Sequence, residues 1–417
     1  MVMNNSNYNS AQLSATCPAC GLLCDDISIV SSPQFTADKA CVKGVSFFNR
    51  AFKASTDALP LIAGQATDLD SAINKIVEIL RHCNKPFFAG LGTEVQGMRA
   101  IMRLAQKTNA SLDHMHSESG VRNTLALQNG GWMTTTLAEV KNRADLILAI
   151  GTDITSSHPR FFERLTENSD SLFKCQPPEV IRLGTTQDVA INVENLSKLP
   201  DIVNALNALL LNKKMQVTHV ADVPVTTLQS LADKLKNAKY AVVVWSASAL
   251  NIPHAELTIQ SITQLINKLN ETTRAAGLPL NSGDGDTSVN NTSTWLSGYP
   301  TRLRFKQGMP EYDNYFYSAQ KLLKSCDAML WISTFNPHSP ALTNAPTIVI
   351  GHPDTQFERT PDVFIPVGIP GIDHSGLMLR MDSSISLPLK KLRDSDLPSL
   401  SEVIKMIEAS LRSEVSE

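Results

Sequence analysis

The chain has no run of five or more lysines and arginines, no apolar stretch near the roughly 20 residues that cross a bilayer, and few charges for its size. Charged residues make up 18% of the 417, aromatics 6%, and the formal net charge is −3. Without a basic patch, or aromatics interleaved with basic residues, a polyanion finds nothing to grip, and no nucleic-acid partner is expected. Apolar runs such as LILAI (146–150) and TIVI (347–350) stop after a few residues, so no membrane association is expected either. The opening residues MVMNNSNYNSAQLSAT lack a basic start and an apolar centre, so they do not form a secretory leader and the cytoplasm is the expected compartment. Ser-His-Asp, HExxH, G-x-S-x-G and P-loop patterns are missing, which leaves a self-contained hydrolase without support. Seven cysteines is an odd number, which argues against a disulfide framework and for thiols that are reduced or metal-bound.

What is present is a recurring plan: a continuous apolar run ending in small or polar residues, followed by a helical pattern. KPFFAGLG (85–92), ADLILAIGTD (144–153), PEVIRLGTTQD (178–188), KYAVVVWSASA (239–249), CDAMLWISTFNP (326–337), APTIVIGHPDT (345–355) and PDVFIPVG (361–368) all fit it. Runs that do not alternate mark strands buried on both faces, and helical stretches such as 68–83 and 254–270 between them make βαβ units with mostly parallel sheets. The class is α/β. The expected division is a cysteine-rich segment 1–65, a first α/β domain 66–237 and a second 238–417 ending in an amphipathic helix, with exchange between the last two allowed. NSGDGDTSVNNTSTW (281–295) reads as a long polar loop lining a site. Ligands in such sheets sit beyond the carboxyl ends of the strands, which directs attention to GTD, SAS, STFNP and GHPDT.

CPACGLLCDD carries Cys17, Cys20 and Cys24, and Cys41 follows as C-x2-C-x3-C-x16-C. Four thiolates suit a [4Fe–4S] cluster or an all-cysteine zinc site. Three thiols crowded in one loop with a fourth arriving alone favour the cluster over zinc, and a metal-free remnant is the third option. Cys83, Cys175 and Cys326 read as ordinary small buried residues. His114 and His116 would share a face of a strand, where a hydrogen-bonded pair is the preferred reading over a metal site.

The blocks CPACGLLCDDI, ACVKG, TLALQNGGWMTTTLAEVKNRADLILAIGTDITSSHPRF, TWLSGYP and DVFIPVGIPGIDHSGLMLRMD resemble the B subunit of formylmethanofuran dehydrogenase and its bacterial counterpart in the formyltransferase/hydrolase complex. The resemblance runs from Cys17 to about Leu389 and extends, more distantly, to the large molybdopterin oxidoreductase subunits. It implies two Rossmann-like parallel-sheet domains behind a small cysteine-rich domain, with no C-terminal β-barrel domain. It also implies pterin-nucleotide loops at Gly151, Thr152 and Asp153, at Ser333, Thr334 and Asn336, and at Gly351 and Asp354, with His158 in a shared motif beyond a strand end. Catalytic relatives carry a cysteine or selenocysteine metal ligand shortly before a segment like TLALQ. Here the stretch is HMHSESGVRNTLALQ (114–128), Ser119 stands near that position, and no cysteine occurs between Cys83 and Cys175. A soft thiolate secures such a metal, so its loss weighs against a molybdenum or tungsten bis-pterin and against redox catalysis. The resemblance then implies a supporting member of a complex with subunits A, C and D. That complex passes a formyl group from tetrahydromethanopterin to a methanofuran-type carrier and hydrolyses it to formate. The alternative is a metal–pterin, [4Fe–4S] dehydrogenase subunit interconverting carbon dioxide and the formyl carrier.

Overall fold

The computed structural model describes residues 13–30, 35–167, 171–173, 176–185 and 190–413, so Cys175 and the end of the run 178–188 lie outside the described residues. Two compact units form. The first takes residues 1–115, 283–380 and 386–417, and the second takes 116–282 and 381–385. The strands Leu146–Ile150 and Ala241–Ser246 are hydrogen-bonded neighbours, so the second unit runs across the 237/238 position at which the sequence suggested a division.

In the first unit, five parallel strands lie side by side in the order Ser111–Leu112, Pro86–Gly92, Ala328–Ser333, Thr347–Gly351 and Val363–Pro366. Two antiparallel strands extend each edge, giving nine. The apolar runs work on both faces, as their lack of alternation requires. Phe88, Leu91, Leu330, Ile332, Ile348 and Ile350 pack into one core, while Phe87, Ala89, Met329, Trp331 and Val349 pack into another. The terminal helix Leu400–Ser413 covers the first face together with Leu69–His82 and Val95–Thr108. Among the described residues, none of the sheets closes into a barrel.

The second unit carries five parallel strands in the order Ile191–Asn192, Glu179–Gly184, Leu146–Ile150, Ala241–Ser246 and Ala275–Leu280. In both sheets the chain reverses direction of travel across the sheet beside its first strand, which is the crevice where Rossmann-like folds bind ligands. Trp245 anchors this unit: it is fully buried, donates from Nε1 to Asn123 Oδ1 at 2.9 Å and meets Trp132 edge-on at 5.5 Å. A side chain on Gly277 would collide with both indoles, at 2.7 and 2.9 Å. Trp245→Ala is expected to cost about 3–5 kcal/mol, read as a lower urea midpoint for this unit.

The polar stretch 281–295 differs from its reading as a loop. Only its first residues turn; Asp286–Ser297 is a helix. Its polar side chains bond the helix's own backbone: Asn290 Nδ2 donates to Asp286 O at 3.0 Å, Asn291 Nδ2 to Thr287 O at 2.8 Å and Thr294 Oγ1 to Asn290 O at 2.8 Å. Ser288, Thr292 and Ser293 are buried beside Val289, so small polar residues form the face that packs on Val95–Thr108. His114 and His116 also depart from expectation. Neither lies in a strand; His114 is buried with Nε2 3.4 Å from Asp284 O, and His116 precedes the helix Ser117–Asn129.

Candidate functional site

The four cysteines gather in the first unit. Short antiparallel strands Leu13–Ala15, Ile27–Val30 and Thr36–Asp38 hold the loop bearing Cys17, Cys20 and Cys24, and Cys41 caps the helix Val42–Lys53. The loop is closed by its own backbone, with Cys17 N–H on Cys24 O at 2.9 Å and Leu23 N–H on Cys20 O at 3.3 Å. Cys17 and Cys24 are buried, Cys20 and Cys41 half-buried, and none of the four is in a disulfide. Burial pushes the Cys17 thiol up, and Cys20, Cys24 and Cys41 push it further. Burial also raises Cys20 to about 11, with Cys24 and Cys41 again adding to the rise. The thiols are close enough to repel one another as thiolates, a state that a bound cation would favour. The cradle is tight: a side chain on Gly44 would stand 3.2 Å from Cys17 Sγ. Among the described residues, no three His, Cys, Asp or Glu side chains form a group that could hold a single metal ion.

The crevice of the first unit lies between the carboxyl ends of Pro86–Gly92 and Ala328–Ser333. There Thr334 sends both its N–H (2.7 Å) and its hydroxyl (3.0 Å) to Gly92 O, fastening the two rims. Glu94 is buried beside them, capping Val95–Thr108 by accepting from the N–H groups of Gln96 and Gly97, each at 2.6 Å. Burial lifts its carboxyl above the usual range. Ser333 donates to Asn336 O at 2.7 Å, and Gly351 passes so close that a Cβ would sit 2.6 Å from Ser333 O.

A polar cluster surrounds these loops. Arg50 Nη2 donates to Asn336 Oδ1, Asn336 Nδ2 donates to Asp284 Oδ1, and His338 Nε2 lies 3.2 Å from Asp284 Oδ2. His352, fully buried, follows Gly351; its Nδ1 accepts the Asp354 N–H at 3.1 Å, which leaves the ring proton on Nε2. Neither His352 Nε2 nor Arg50 Nε has a hydrogen-bond partner among the described residues. Burial drives His352 down to about 3, and the charges of Arg50, Arg393 and His338 drive it the same way. Arg393 is itself matched by Asp373, at 2.6 Å, and clamps the carbonyls of Phe52 and Ala54.

In the second unit the expected loop residues serve local structure. Gly151 donates its N–H to Leu183 O at 2.8 Å, and half-buried Thr152 follows it. Asp153 caps Ile154–Ser157, where the Ser156 hydroxyl holds its carboxyl below the usual range. His158 is buried with Nε2 2.9 Å from Asn281 Oδ1. Ser119 donates to His116 O at 2.8 Å and lies 2.9 Å from the Ser282 hydroxyl. Arg122 crosses the rim to Ala247 O and Leu250 O at 2.7 and 2.9 Å.

The structure thus sets the four cysteines close enough to influence one another, and joins Asn336, Gly351 and Asp354 through Asp284 and His352, which lie in stretches the sequence singled out, and through Arg50, His338 and Arg393, which it did not. His352 had a signal, a histidine directly after a buried strand. Arg50 had none, because a helical arginine nine residues past Cys41 looks like any solvated side chain.

No family model matches the chain. It is 26% identical over 405 residues to the B subunit of the tungsten-containing formylmethanofuran dehydrogenase 2 of Methanocaldococcus jannaschii, covering 91% of this chain and 93% of that protein. To the B subunit of the formyltransferase/hydrolase complex Fhc of Methylorubrum extorquens it is 30% identical over 328 residues, covering 76% of this chain and 87% of that one. Its fold matches a chain in the crystal structure of the FhcABCD complex from Methylorubrum extorquens with methylofuran, at a TM-score of 0.74 and 25% identity over 86% of this chain and 100% of that one. With the cysteine-bearing module, two Rossmann-like sheets and an identity that spans most of both proteins, the chain belongs to the family formed by the B subunits of formylmethanofuran dehydrogenase and of the formyltransferase/hydrolase complex.

Proposed function

We propose that this chain is the B subunit of a formyltransferase/hydrolase complex, joined to subunits A, C and D, and that it supports the assembly without a redox step of its own. The complex passes a formyl group to a methanofuran-type carrier and hydrolyses it to formate. The observation that carries this reading is the donor set where a metal–pterin centre would need its ligand. No cysteine stands between Cys83 and Cys175, and the Ser119 hydroxyl is engaged with His116 and Ser282. The Gly151 N–H is taken by Leu183 O, the Asp153 carboxylate caps Ile154–Ser157, and His158 Nε2 meets Asn281 Oδ1, so these groups already serve the protein's own structure, which supports the reading without a tungsten or molybdenum bis-pterin.

The cysteine module does fit an iron–sulfur cluster. Cys17, Cys20, Cys24 and Cys41 would each ligate one iron of a [4Fe–4S] group, which spreads its thiolates over a larger polyhedron than one zinc ion does. Such a group supplies an electron relay, or simply a staple. The intact quartet is also what favours the second reading, a redox dehydrogenase subunit like the relatives named as tungsten-containing.

In the purified complex, Ser119→Ala is expected to leave assembly intact and formate release within about twofold of the parent. Metal analysis of oxygen-free material should find no stoichiometric molybdenum or tungsten. Stoichiometric metal, with dye reduction by the formylated carrier that Ser119→Ala abolishes, would overturn the reading in favour of the dehydrogenase.

A further inference from the structure

We propose that the first unit binds a small organic anion in a cavity of about 200 Å³ lined by Lys85 and Arg304. The cavity lies at the amino ends of the parallel strands, the opposite end from the crevice. Lys85 directly precedes Pro86–Gly92, Ser111 opens Ser111–Leu112, and Cys326 stands just before Ala328–Ser333. Strand pairing fixes the arrangement. Phe87 stands opposite Ser111, Ser111 opposite Arg304, and Arg304 opposite Glu311, so these four side chains share one face of the sheet.

Charge sets the sign of the ligand. None of the eight lining residues is acidic. The two carboxylates beside the cavity are engaged elsewhere: Glu311 accepts from the Tyr317 hydroxyl at 3.0 Å and faces Lys306 Nζ at 3.8 Å, and Asp327 accepts the N–H groups of Asn84 and Lys85, each at 2.7 Å. Arg304 is half-buried, yet neither its guanidinium nor the Lys85 ammonium has a hydrogen bond or an ion pair among the described residues, and the hydroxyl of buried Ser111 has no partner there either. Two cations and a hydroxyl donor on one small cavity call for a charge-assisted acceptor.

The remaining wall says what the acceptor carries. Leu322 is half-buried, and the Phe316 ring is 65% exposed at the cavity. A body that covers this ring removes apolar surface from water while its acid group meets the cations, a gain that a bare inorganic ion does not have. At interior packing density the volume holds roughly ten non-hydrogen atoms, the size of a simple aromatic acid. A carboxylic acid and a phosphate monoester share this chemistry.

Cys326 reports occupancy, because its thiol lines the cavity while that of Cys83, also half-buried, does not. The full chain is alkylated with iodoacetamide at mildly alkaline pH and constant ionic strength, in separate series with benzoate, phenyl phosphate, inorganic phosphate and neutral benzamide, and each thiol is followed by peptide mass spectrometry. Benzoate or phenyl phosphate is expected to slow Cys326 saturably, by at least about fivefold, with Cys83 unchanged. Lys85→Met and Arg304→Met should each raise the midpoint concentration by about tenfold, while Arg304→Lys retains most of the affinity. Lys324→Met, at an exposed cation outside the lining, should change nothing. Lys85 is exposed, so its variant keeps the test valid if Arg304→Met folds poorly. The better protectant of the two aromatic anions identifies the acid group. Equal protection by benzamide or by inorganic phosphate, protection unaltered in both methionine variants, or none at about 50 mM would overturn the proposal. The readout involves no partner chain and no formyl transfer, so its failure and a failure of the assembly reading are separate results.

Discussion

Gly285→Ala is expected to destabilise the first unit by at least about 3 kcal/mol, enough to deplete the folded protein at growth temperature. Gly285 sits at φ +75 at the start of the helix Asp286–Ser297, and a Cβ there would lie 2.2 Å from the Thr93 carbonyl oxygen and 3.3 Å from the Phe335 ring. The first contact is with backbone at the crevice rim, which has no rotamer to change. Relief requires moving either Thr93, which follows the buried strand Pro86–Gly92, or the helix itself. Asp284, the residue before, would be displaced too, and with it the carboxylate that holds Asn336 and His338. Gly283→Ala is the control: its φ of +107 also strains an L-residue, but nothing lies within 4 Å of the added carbon. It should cost about 1–2 kcal/mol. Urea midpoints and the exchange rates of amides in Val95–Thr108 separate the two. Equal, small losses would mean that the rim yields and that the close approach constrains nothing.

The second large effect is acid sensitivity set by His352. Its folded value of about 3 lies below the ordinary 6.5, because burial and the neighbouring cations exclude the charged ring. As pH falls below 6.5 the unfolded chain takes up a proton that the folded chain refuses until about pH 3, so protonation draws the equilibrium toward unfolding. Stability is unaffected by this group above pH 7 and declines through the window from about 6.5 to 3, by as much as about 5 kcal/mol at its end. His352→Gln, which does not titrate, should lose about 2–3 kcal/mol less than the parent between pH 7 and 4.5, measured as the difference in urea midpoints. A parent and variant whose stabilities fall in parallel would show that the ring protonates in place at little cost.

Strands were the legible part of this fold. PFFAGLG, LILAI, AVVVW and AMLWIS announce themselves because a strand covered on both faces needs no polar alternation, and the helices between them show the usual apolar stripe. The helix Asp286–Ser297 was not legible for the opposite reason. Its buried face is Ser288, Val289, Thr292 and Ser293, three small polar residues around a single apolar one, so no apolar period exists to find. That Cys17, Cys20 and Cys24 share one loop was readable from their spacing. The Arg50 partner of Asn336 was not, because it reaches Asn336 across 286 residues of sequence, a proximity that only the sheet order creates. Asp153 and His158 were found as motif residues, yet the motif does not tell a nucleotide loop from a helix cap that has kept the same letters.

On one edge the strand Pro86–Gly92 pairs with Ala328–Ser333, and the second unit, apart from residues 381–385, is spelled out between them. On a ribosome adding about 5–20 residues per second, the earlier strand waits roughly 10–50 seconds for its partner. During that time the inserted unit has its own five strands complete and can close on itself. The segment ending at Met115 meanwhile leaves the exit tunnel with Pro86–Gly92 able to pair with Ser111–Leu112 on one edge only, its other edge open. Order of synthesis therefore opposes order of pairing, and the interval is one in which a nascent chain of this design depends on chaperones to shield that strand.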